Sequence, residues 1–141
     1  ITTDLISGFC TETEEDHQLT LSLMREVGYS SAFMFKYSER PGTLASRKYP
    51  DDIPYGLKTE RLNEIIALQG RMSLKSNEKE IGRRLKVLVE GPSKKNQEEL
   101  CGRASSNKMC VFPSRGEKAG DYCDVEVVSV TSATLICKRI D

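Results

Sequence analysis

Apolar positions in the first part of the chain change from a strand-like run to a helical stripe. The compact apolar run at residues 3–9 predicts a short buried strand. The hydroxyls and acids of residues 11–16 that follow it are typical of a capped helix start. Four apolar residues then recur at helical spacing and predict the buried face of a helix that ends before Gly28. These four are Leu19, Leu23, Met24 and Val27.

A second strand and a second helix follow in the same way. The aromatic run at residues 31–37 predicts the strand, and residues 38–43 after it carry strong turn chemistry. Apolar residues again recur at helical spacing from Tyr55 to about Glu80, which predicts a long helix. Its expected apolar stripe consists of Leu57, Leu62, Ile65, Ile66, Leu68 and Met72.

The pattern changes after Gly82 to five short β-like runs separated by Gly, Pro, Ser and Asn clusters. Five short strands predict a small β-barrel. Alternation along the last two runs places Cys123 and Cys137 on the inward side, so we interpret both as core residues rather than reactive thiols. The five runs are residues 85–90, 99–103, 109–112, 122–130 and 133–138.

Composition indicates a folded globular chain, because 38% of its 141 residues are hydrophobic and 30% are charged. No run approaches the ~20 apolar residues that span a bilayer, so we expect no membrane partner. The opening Ile-Thr-Thr-Asp resembles neither an initiator Met nor a signal peptide, which suggests a cut inside a longer protein. The five widely spaced cysteines fit no disulfide framework and no zinc site, and we interpret them as reduced thiols of a cytoplasmic protein.

Charge changes at the same place as the hydrophobic pattern. Residues 1–82 hold ten Lys and Arg against thirteen Asp and Glu, whereas residues 83–141 hold eleven against eight. A modest basic excess fits a polyanionic partner, although many inert surfaces are equally basic. We therefore predict one domain at residues 1–82 and a second at residues 83–141.

Two motifs in the first domain closely resemble the late radical-SAM barrel of the methylthiotransferases. They are GFCTETEED at residues 8–16 and FMFKYSERPGT at residues 33–43. In the second domain, residues 101–108 and 111–113 look like the TRAM module that ends these enzymes. The sequence of residues 33–40 is similar to that of the MiaB branch of the family, which acts on tRNA.

The resemblance implies an α+β protein. It would contain the final β/α units of a radical-SAM partial TIM-like barrel, followed by a small five-stranded OB-like TRAM β-barrel. The chain would be a C-terminal fragment of an enzyme that converts N6-isopentenyladenosine next to the tRNA anticodon to its 2-methylthio derivative. That parent enzyme uses two 4Fe-4S clusters and S-adenosylmethionine.

The cysteine spacing departs from the pattern of the family. The radical cluster needs three thiolates in a tight Cys-x-x-x-Cys-x-x-Cys loop, whereas the closest pair here is Cys101 and Cys110. The auxiliary cluster belongs to a still earlier domain in the family. We therefore expect this fragment to ligate neither cluster, to hold no other metal and to be inactive alone.

Three residues are expected to border the pocket of the intact enzyme, because barrel enzymes place their chemistry at the C-terminal ends of strands. They are Glu12, Tyr37 and Arg40. Arg40 could hold a carboxylate or phosphate, and Glu12 could accept hydrogen bonds from a ribose or an amine. The alternative is structural: Arg40 would pair with Glu39, and residues 11–14 would only cap a helix.

Five polar residues on loops of the barrel are candidates for contact with a tRNA anticodon stem-loop, since Lys and Arg meet phosphates and Asn reads base edges. The alternative is a solvated basic rim, because the only barrel aromatics are Phe112 and Tyr122. The candidates are Lys94, Lys95, Arg103, Asn107 and Lys108.

Two further expectations concern partners. A sister branch of the family modifies a ribosomal protein, so a protein-binding barrel is the alternative function. A cut barrel exposes strand edges, so we expect the segment before Gly82 to rearrange or to join oligomers.

His17 has acidic neighbours and no second histidine to complete a metal site, and we interpret it as a surface residue.

Overall fold

The structure is a computed structural model that describes residues 1–94 and 96–140. The chain divides into two compact units, Ile1–Ser73 and Leu74–Asp141. The boundary that the sequence suggests between residues 82 and 83 stays a prediction.

The first unit contains a parallel β/α unit. Strands β1 and β2 pair in parallel, from Thr2 opposite Ser31 to Ser7 opposite Lys36, and helix α1 makes the crossover between them. One face of this two-stranded sheet exposes Ile6, Phe33 and Phe35. The elements are β1 (Thr2–Ser7), α1 (Glu14–Val27), β2 (Ser31–Lys36), α2 (Leu44–Lys48) and α3 (Tyr55–Glu78).

Helix α1 is capped as the sequence predicts, but it buries a different face. Thr13 Oγ1 accepts a hydrogen bond from the Asp16 amide at 3.1 Å, and Asp16 Oδ2 accepts one from the Thr13 amide at 2.9 Å. Of the expected apolar face only Met24 is buried, whereas Leu19 and Leu23 are 61% and 52% exposed. The predicted face was therefore wrong.

The buried face of α1 consists of His17, Leu21 and Met24, which follow each other at helical spacing. The interpretation of His17 as a surface residue was also wrong: its side chain is 1% exposed, and Nε2 lies 2.6 Å from Glu64 Oε2 on α3. A carboxylate partner on another helix satisfies the ring, and a single sequence does not reveal such a partner.

The core of the first unit is small and mixed. Leu21, Met24, Ile65 and Leu68 form its buried cluster, against which Leu5, Tyr29, Met34 and Met72 pack. Ile66, expected in the apolar stripe of α3, is exposed instead. Polar residues of α3 take buried places beside the apolar ones, namely Lys58, Arg61, Gln69 and Ser73.

One short helix follows the predicted turn at residues 38–43, in a segment for which the sequence predicts no element. Helix α2 begins after Thr43, whose Oγ1 accepts a hydrogen bond from the Ser46 amide at 3.2 Å. Five residues show too little periodicity for a pattern to predict a helix, so the cap is the only local signal.

The second unit is a closed five-stranded barrel with the strand order β3-β4-β5-β7-β6. Among the described strands, neighbours are antiparallel except β5 and β7, which are parallel. Each strand overlaps one of the five predicted runs, and the expected α+β class with an OB-like barrel is confirmed. The strands are β3 (Arg84–Pro92), β4 (Glu99–Ala104), β5 (Met109–Pro113), β6 (Tyr122–Val130) and β7 (Thr134–Arg139).

Inward side chains from all five strands fill the barrel. Phe112 is its one buried aromatic residue among those described, and Cys123 and Cys137 are buried as the alternation predicts. Each buried Val or Leu contributes about 1.5–3 kcal/mol relative to an exposed one, so this core is a major source of the stability of the barrel. Its members are Val87, Val89, Leu100, Ala104, Cys110, Phe112, Cys123, Val125, Val127, Leu135 and Cys137.

Gly102 of β4 stands opposite Val89 of β3 and has no room for a side chain. A Cβ there would lie 2.3 Å from the Leu88 carbonyl oxygen and 2.7 Å from Val87 Cγ1. Because a backbone oxygen cannot rotate away, we expect Gly102→Ala to lower the free energy of unfolding of the barrel by about 1–3 kcal/mol. Hydrogen exchange of the barrel amides measures this.

Gly70 in α3 provides the matched control, since a Cβ there meets nothing within 4 Å. Gly70→Ala should leave the protection of the barrel amides unchanged, and by helix propensity it should favour α3 by about 1 kcal/mol. Unchanged barrel protection in Gly102→Ala would contradict the packing argument.

Candidate pocket and candidate RNA interface

The loops that follow β1 and β2 meet, as expected for the ends of adjacent parallel strands. The rings of Phe9 and Tyr37 form an edge-to-face contact with centroids 5.0 Å apart, and the Tyr37 amide donates to the Ser7 carbonyl at 2.8 Å. The structure therefore brings together two of the loop segments that the sequence analysis selected.

Two clefts open beside these loops. One, of about 380 Å³, is lined by Phe9, Cys10, Thr11, Glu12, Asp16 and Tyr49. The other, of about 550 Å³, is lined by Lys36, Tyr37, Ser38, Glu39, Asp51, Ile53, Tyr55 and Lys58. Arg40 is exposed, lines neither cleft and forms no ion pair with a described residue. Contact of Glu12, Tyr37 and Arg40 with a ligand stays a prediction.

Arg61 of α3 holds Glu12 in place. Its Nη1 donates to Glu12 Oε1 at 2.8 Å and to the Glu12 carbonyl at 3.1 Å, while the Gly8 amide donates to Glu12 Oε2 at 3.0 Å. The side chains of Arg61 and Glu12 are only 5% and 12% exposed. Both carboxylate oxygens are thus engaged, and the loop after β1 is closed on itself.

Lys58 anchors the second loop from the same helix. Its buried ammonium pairs with Asp51 and donates to the Tyr37 carbonyl at 3.4 Å. Its methylenes pack on Gly8, where a Cβ would lie 2.4 Å from Lys58 Cγ and where φ is +72°. Gly8 is therefore required both by its left-handed backbone and by the lysine that covers it.

Thr11 adopts a left-handed backbone with φ of 66°, which is unusual for a residue other than glycine. The Thr11 amide donates to Asp52 Oδ1 at 2.8 Å, so a contact from a distant loop holds this conformation. Backbone strain of this kind costs about 1–3 kcal/mol and concentrates at functional sites. The loop after β1 is thus pinned at Gly8, Thr11 and Glu12.

The Tyr37 hydroxyl lies in an unusual environment. Its oxygen is shielded from solvent and has no partner of good hydrogen-bond geometry among the described residues. Interaction with the Cys10 thiol, followed by burial and the Glu39 and Asp51 charges, raises the pKa of Tyr37 to about 12. This phenol therefore stays neutral throughout the physiological range.

Arg61 and Lys58 were not predicted from the sequence as site residues. Charged residues on an amphipathic helix are usually solvated, so neither stood out from the apolar stripe. One available signal was their spacing, because positions 58, 61 and 65 lie on one face of α3.

The RNA candidates of the barrel fall into two groups. Lys94 is exposed in the turn between β3 and β4, and Lys95 lies outside the described residues. Arg103 and Asn107 come together at the turn after β4, where Arg103 Nη1 donates to the Asn107 carbonyl at 3.0 Å and Asn107 has a left-handed φ of 63°.

Lys108 has partners within its own unit. Its Nζ donates to the Ser76 carbonyl at 3.0 Å and lies 3.2 Å from Glu80 Oε1, so it holds the last turn of α3. Nearby, Asn77 donates to the Thr131 carbonyl at 2.8 Å. RNA contact by Lys94, Lys95, Arg103, Asn107 and Lys108 stays a prediction.

Within residues 1–94 and 96–140, no group of three or more His, Cys, Asp and Glu side chains is placed to hold a metal ion. In the same part of the chain, no helix combines the length and apolar character needed to cross a membrane.

The barrel matches a known domain family. Residues 78–138 match the TRAM domain, which covers the whole closed barrel except the end of its last strand.

Proteins called tRNA-2-methylthio-N(6)-dimethylallyladenosine synthase match nearly the whole chain. The one from Bacteroides thetaiotaomicron is 55% identical over 135 residues, 96% of this chain and 30% of that protein. The one from Amoebophilus asiaticus is 55% identical over 142 residues, 99% of this chain and 29% of that protein. The chain belongs to the methylthiotransferase family, as the motifs predict, and spans about 30% of the length of these relatives.

We expect loss of the Arg61 guanidinium to unfold the first unit selectively. Arg61→Ala leaves the Glu12 carboxylate buried and unpaired, which should lower the free energy of unfolding by about 3–5 kcal/mol. Hydrogen exchange of the β1 and β2 amides reports this loss. Arg71→Ala is the control, because Arg71 is an exposed arginine on the same helix. Equal protection in the two variants would refute the role of the buried pair.

Tyr37 should be a late-titrating tyrosine. A raised folded-state pKa means that its neutral form stabilises the fold below its ordinary pKa of about 10, and that this contribution is lost as the pH rises through about 12. The phenolate absorbance should therefore show a step near pH 12 that Tyr37→Phe removes. Tyr122→Phe should leave that step unchanged, and its persistence in Tyr37→Phe would assign it elsewhere.

Proposed function

We propose that this chain is the tRNA-recognition end of an enzyme that converts N6-isopentenyladenosine next to the anticodon to its 2-methylthio derivative. The observation that carries the proposal is the identity of more than 50% with the synthases described above, across nearly the whole chain. Because the chain spans only about 30% of those proteins, the reaction belongs to the intact enzyme, which would act in the cytoplasm.

The cofactors of that enzyme would be S-adenosylmethionine and two 4Fe-4S clusters, which supply its radical and sulfur chemistry when bound. The described residues do not fit either cluster, since no group of three metal-binding side chains comes together among them. The fragment would therefore be inactive alone, and incubation with S-adenosylmethionine and isopentenylated tRNA should yield no methylthio product.

The first unit would supply part of the wall of the substrate pocket. Arg61 fixes the loop after β1 through Glu12, and Lys58 fixes the loop after β2 through the Tyr37 carbonyl, so both loops would be held in place at the strand ends. Arg40 is exposed and remains free to contact a ligand carboxylate or phosphate in the intact enzyme.

The barrel would bind the anticodon stem-loop of tRNA. The proposal rests on the TRAM match, on the basic excess of residues 83–141 and on the exposed Lys94. The protein-binding alternative is not favoured, because the relatives are named for a tRNA product.

The chain should bind an anticodon stem-loop with an affinity that falls as salt rises. Each phosphate contact with single-stranded RNA lowers the slope of log K against log salt by about 0.7, so Lys94→Ala should reduce affinity and flatten that slope by about one contact. Fluorescence anisotropy with a labelled stem-loop measures both quantities.

Lys138→Ala is the matched control, since Lys138 lies on the outer face of β7 and pairs with Glu126 at 2.9 Å. It should bind as the unaltered chain does. Absence of any salt-sensitive binding by the unaltered chain would refute the proposed RNA-binding role.

A further inference from the structure

The strand register places three different side chains in one row across the barrel. Leu88 of β3 stands opposite Tyr122 of β6 on one side and opposite Arg103 of β4 on the other. Their neighbours Val87 and Val89 point into the core, so the row lies on the outer face. Because neighbouring strands lie about 4.8 Å apart, the backbones of Tyr122 and Arg103 are roughly 10 Å apart, with Leu88 between them.

The side chain of Tyr122 lies outside the core of the barrel. Its side chain is 66% exposed, and it forms no hydrogen bond or ring contact with a described residue. Leu88 beside it is 38% exposed. A tyrosine and a leucine that adjoin on an outer sheet face form an apolar surface that folding does not require.

Arg103 presents a fixed flat surface at the other end of the row. Its Nε lies 3.1 Å from Glu90 Oε1 and its Nη1 donates to the Asn107 carbonyl, so two partners fix the guanidinium plane. The side chain is nevertheless 41% exposed. Because Glu90 offsets its charge, Arg103 offers mainly a planar face for stacking.

Charge on the same face argues for contact with bases. In the next two rows Lys86 of β3 stands opposite Asp124 of β6 and Arg84 stands opposite Glu126, so these rows of the two strands hold as many acidic as basic positions. A duplex backbone needs a surplus of cations, which these rows of β3 and β6 do not offer. Unpaired bases need flat apolar or guanidinium surfaces, and this row supplies them.

We propose that Tyr122, Leu88 and Arg103 form a stacking platform for unpaired bases of the anticodon loop. One base would stack on the Tyr122 ring and another on the Arg103 guanidinium, with Leu88 in contact between them. The platform rests on the proposed tRNA-binding function and adds the part of the RNA that is recognised: loop bases rather than stem phosphates.

The test compares Tyr122→Ala with Tyr122→Phe in the 141-residue chain, using a labelled anticodon stem-loop and anisotropy. Loss of one stacked base should weaken binding about 5- to 100-fold in Tyr122→Ala, whereas Tyr122→Phe keeps the ring and should bind nearly as before. The salt dependence should be unchanged in Tyr122→Ala, because no phosphate contact is lost.

Two further variants sharpen the result. Arg103→Lys keeps the charge but loses the plane and should also weaken binding. Ile136→Ala, which removes a 40% exposed side chain from the outer face of β7, should have no effect. Circular dichroism verifies that each variant keeps the fold.

The possible failures can be told apart. If Tyr122→Ala binds as tightly as the unaltered chain while Lys94→Ala weakens binding, the platform is overturned and the tRNA-binding role stands. A changed salt slope in Tyr122→Ala would also overturn it. If the unaltered chain binds no RNA, the proposed function fails first, and a protein partner on this face becomes the better explanation.

Discussion

Buried polar side chains of α3 hold the first unit together by satisfying the backbone of the loops around them. Lys58 donates to the Tyr37 carbonyl and Arg61 to the Glu12 carbonyl. Further along, Gln69 donates to the Tyr29 carbonyl at 2.9 Å and Ser73 to the Ser30 carbonyl at 3.1 Å. Loop carbonyls that face a protein interior must find donors, and here one helix face provides four of them.

This arrangement has a consequence for the pocket. Burying a charge is costly unless it is paired, so Arg61 and Lys58 fit only if Glu12 and Asp51 occupy the places that meet them. Glu12 belongs to the loop after β1, and Asp51 lies in the segment between α2 and α3 and lines the second cleft. Loop geometry and ion pairing are therefore one constraint, and the strand ends are ordered before any ligand arrives.

The sequence predicts the elements correctly wherever the local apolar pattern agrees with what is buried. All five barrel strands were predicted, because period-two alternation matches a barrel that is filled inside and solvated outside. It does not predict which polar side chains are buried. His17 and Arg61 are buried through partners about 47 and 49 residues away in sequence, Glu64 and Glu12, and no local pattern encodes such pairs. The exposed Leu19 and Leu23 show the converse, since apolar spacing predicts a face without saying what covers it.

The inner and outer faces of the barrel are under different constraints. Inward residues are apolar and close-packed, and the approach of β3 to β4 at Gly102 leaves no space for a side chain between the strands. Substitution on the outer face therefore costs the fold little, and this freedom is what the proposed platform of Tyr122, Leu88 and Arg103 requires. Lys108 differs from these residues, because its ammonium group is bound to Ser76 and Glu80 within the protein. A basic residue near a binding surface thus contributes to recognition only as far as its internal partners leave it free.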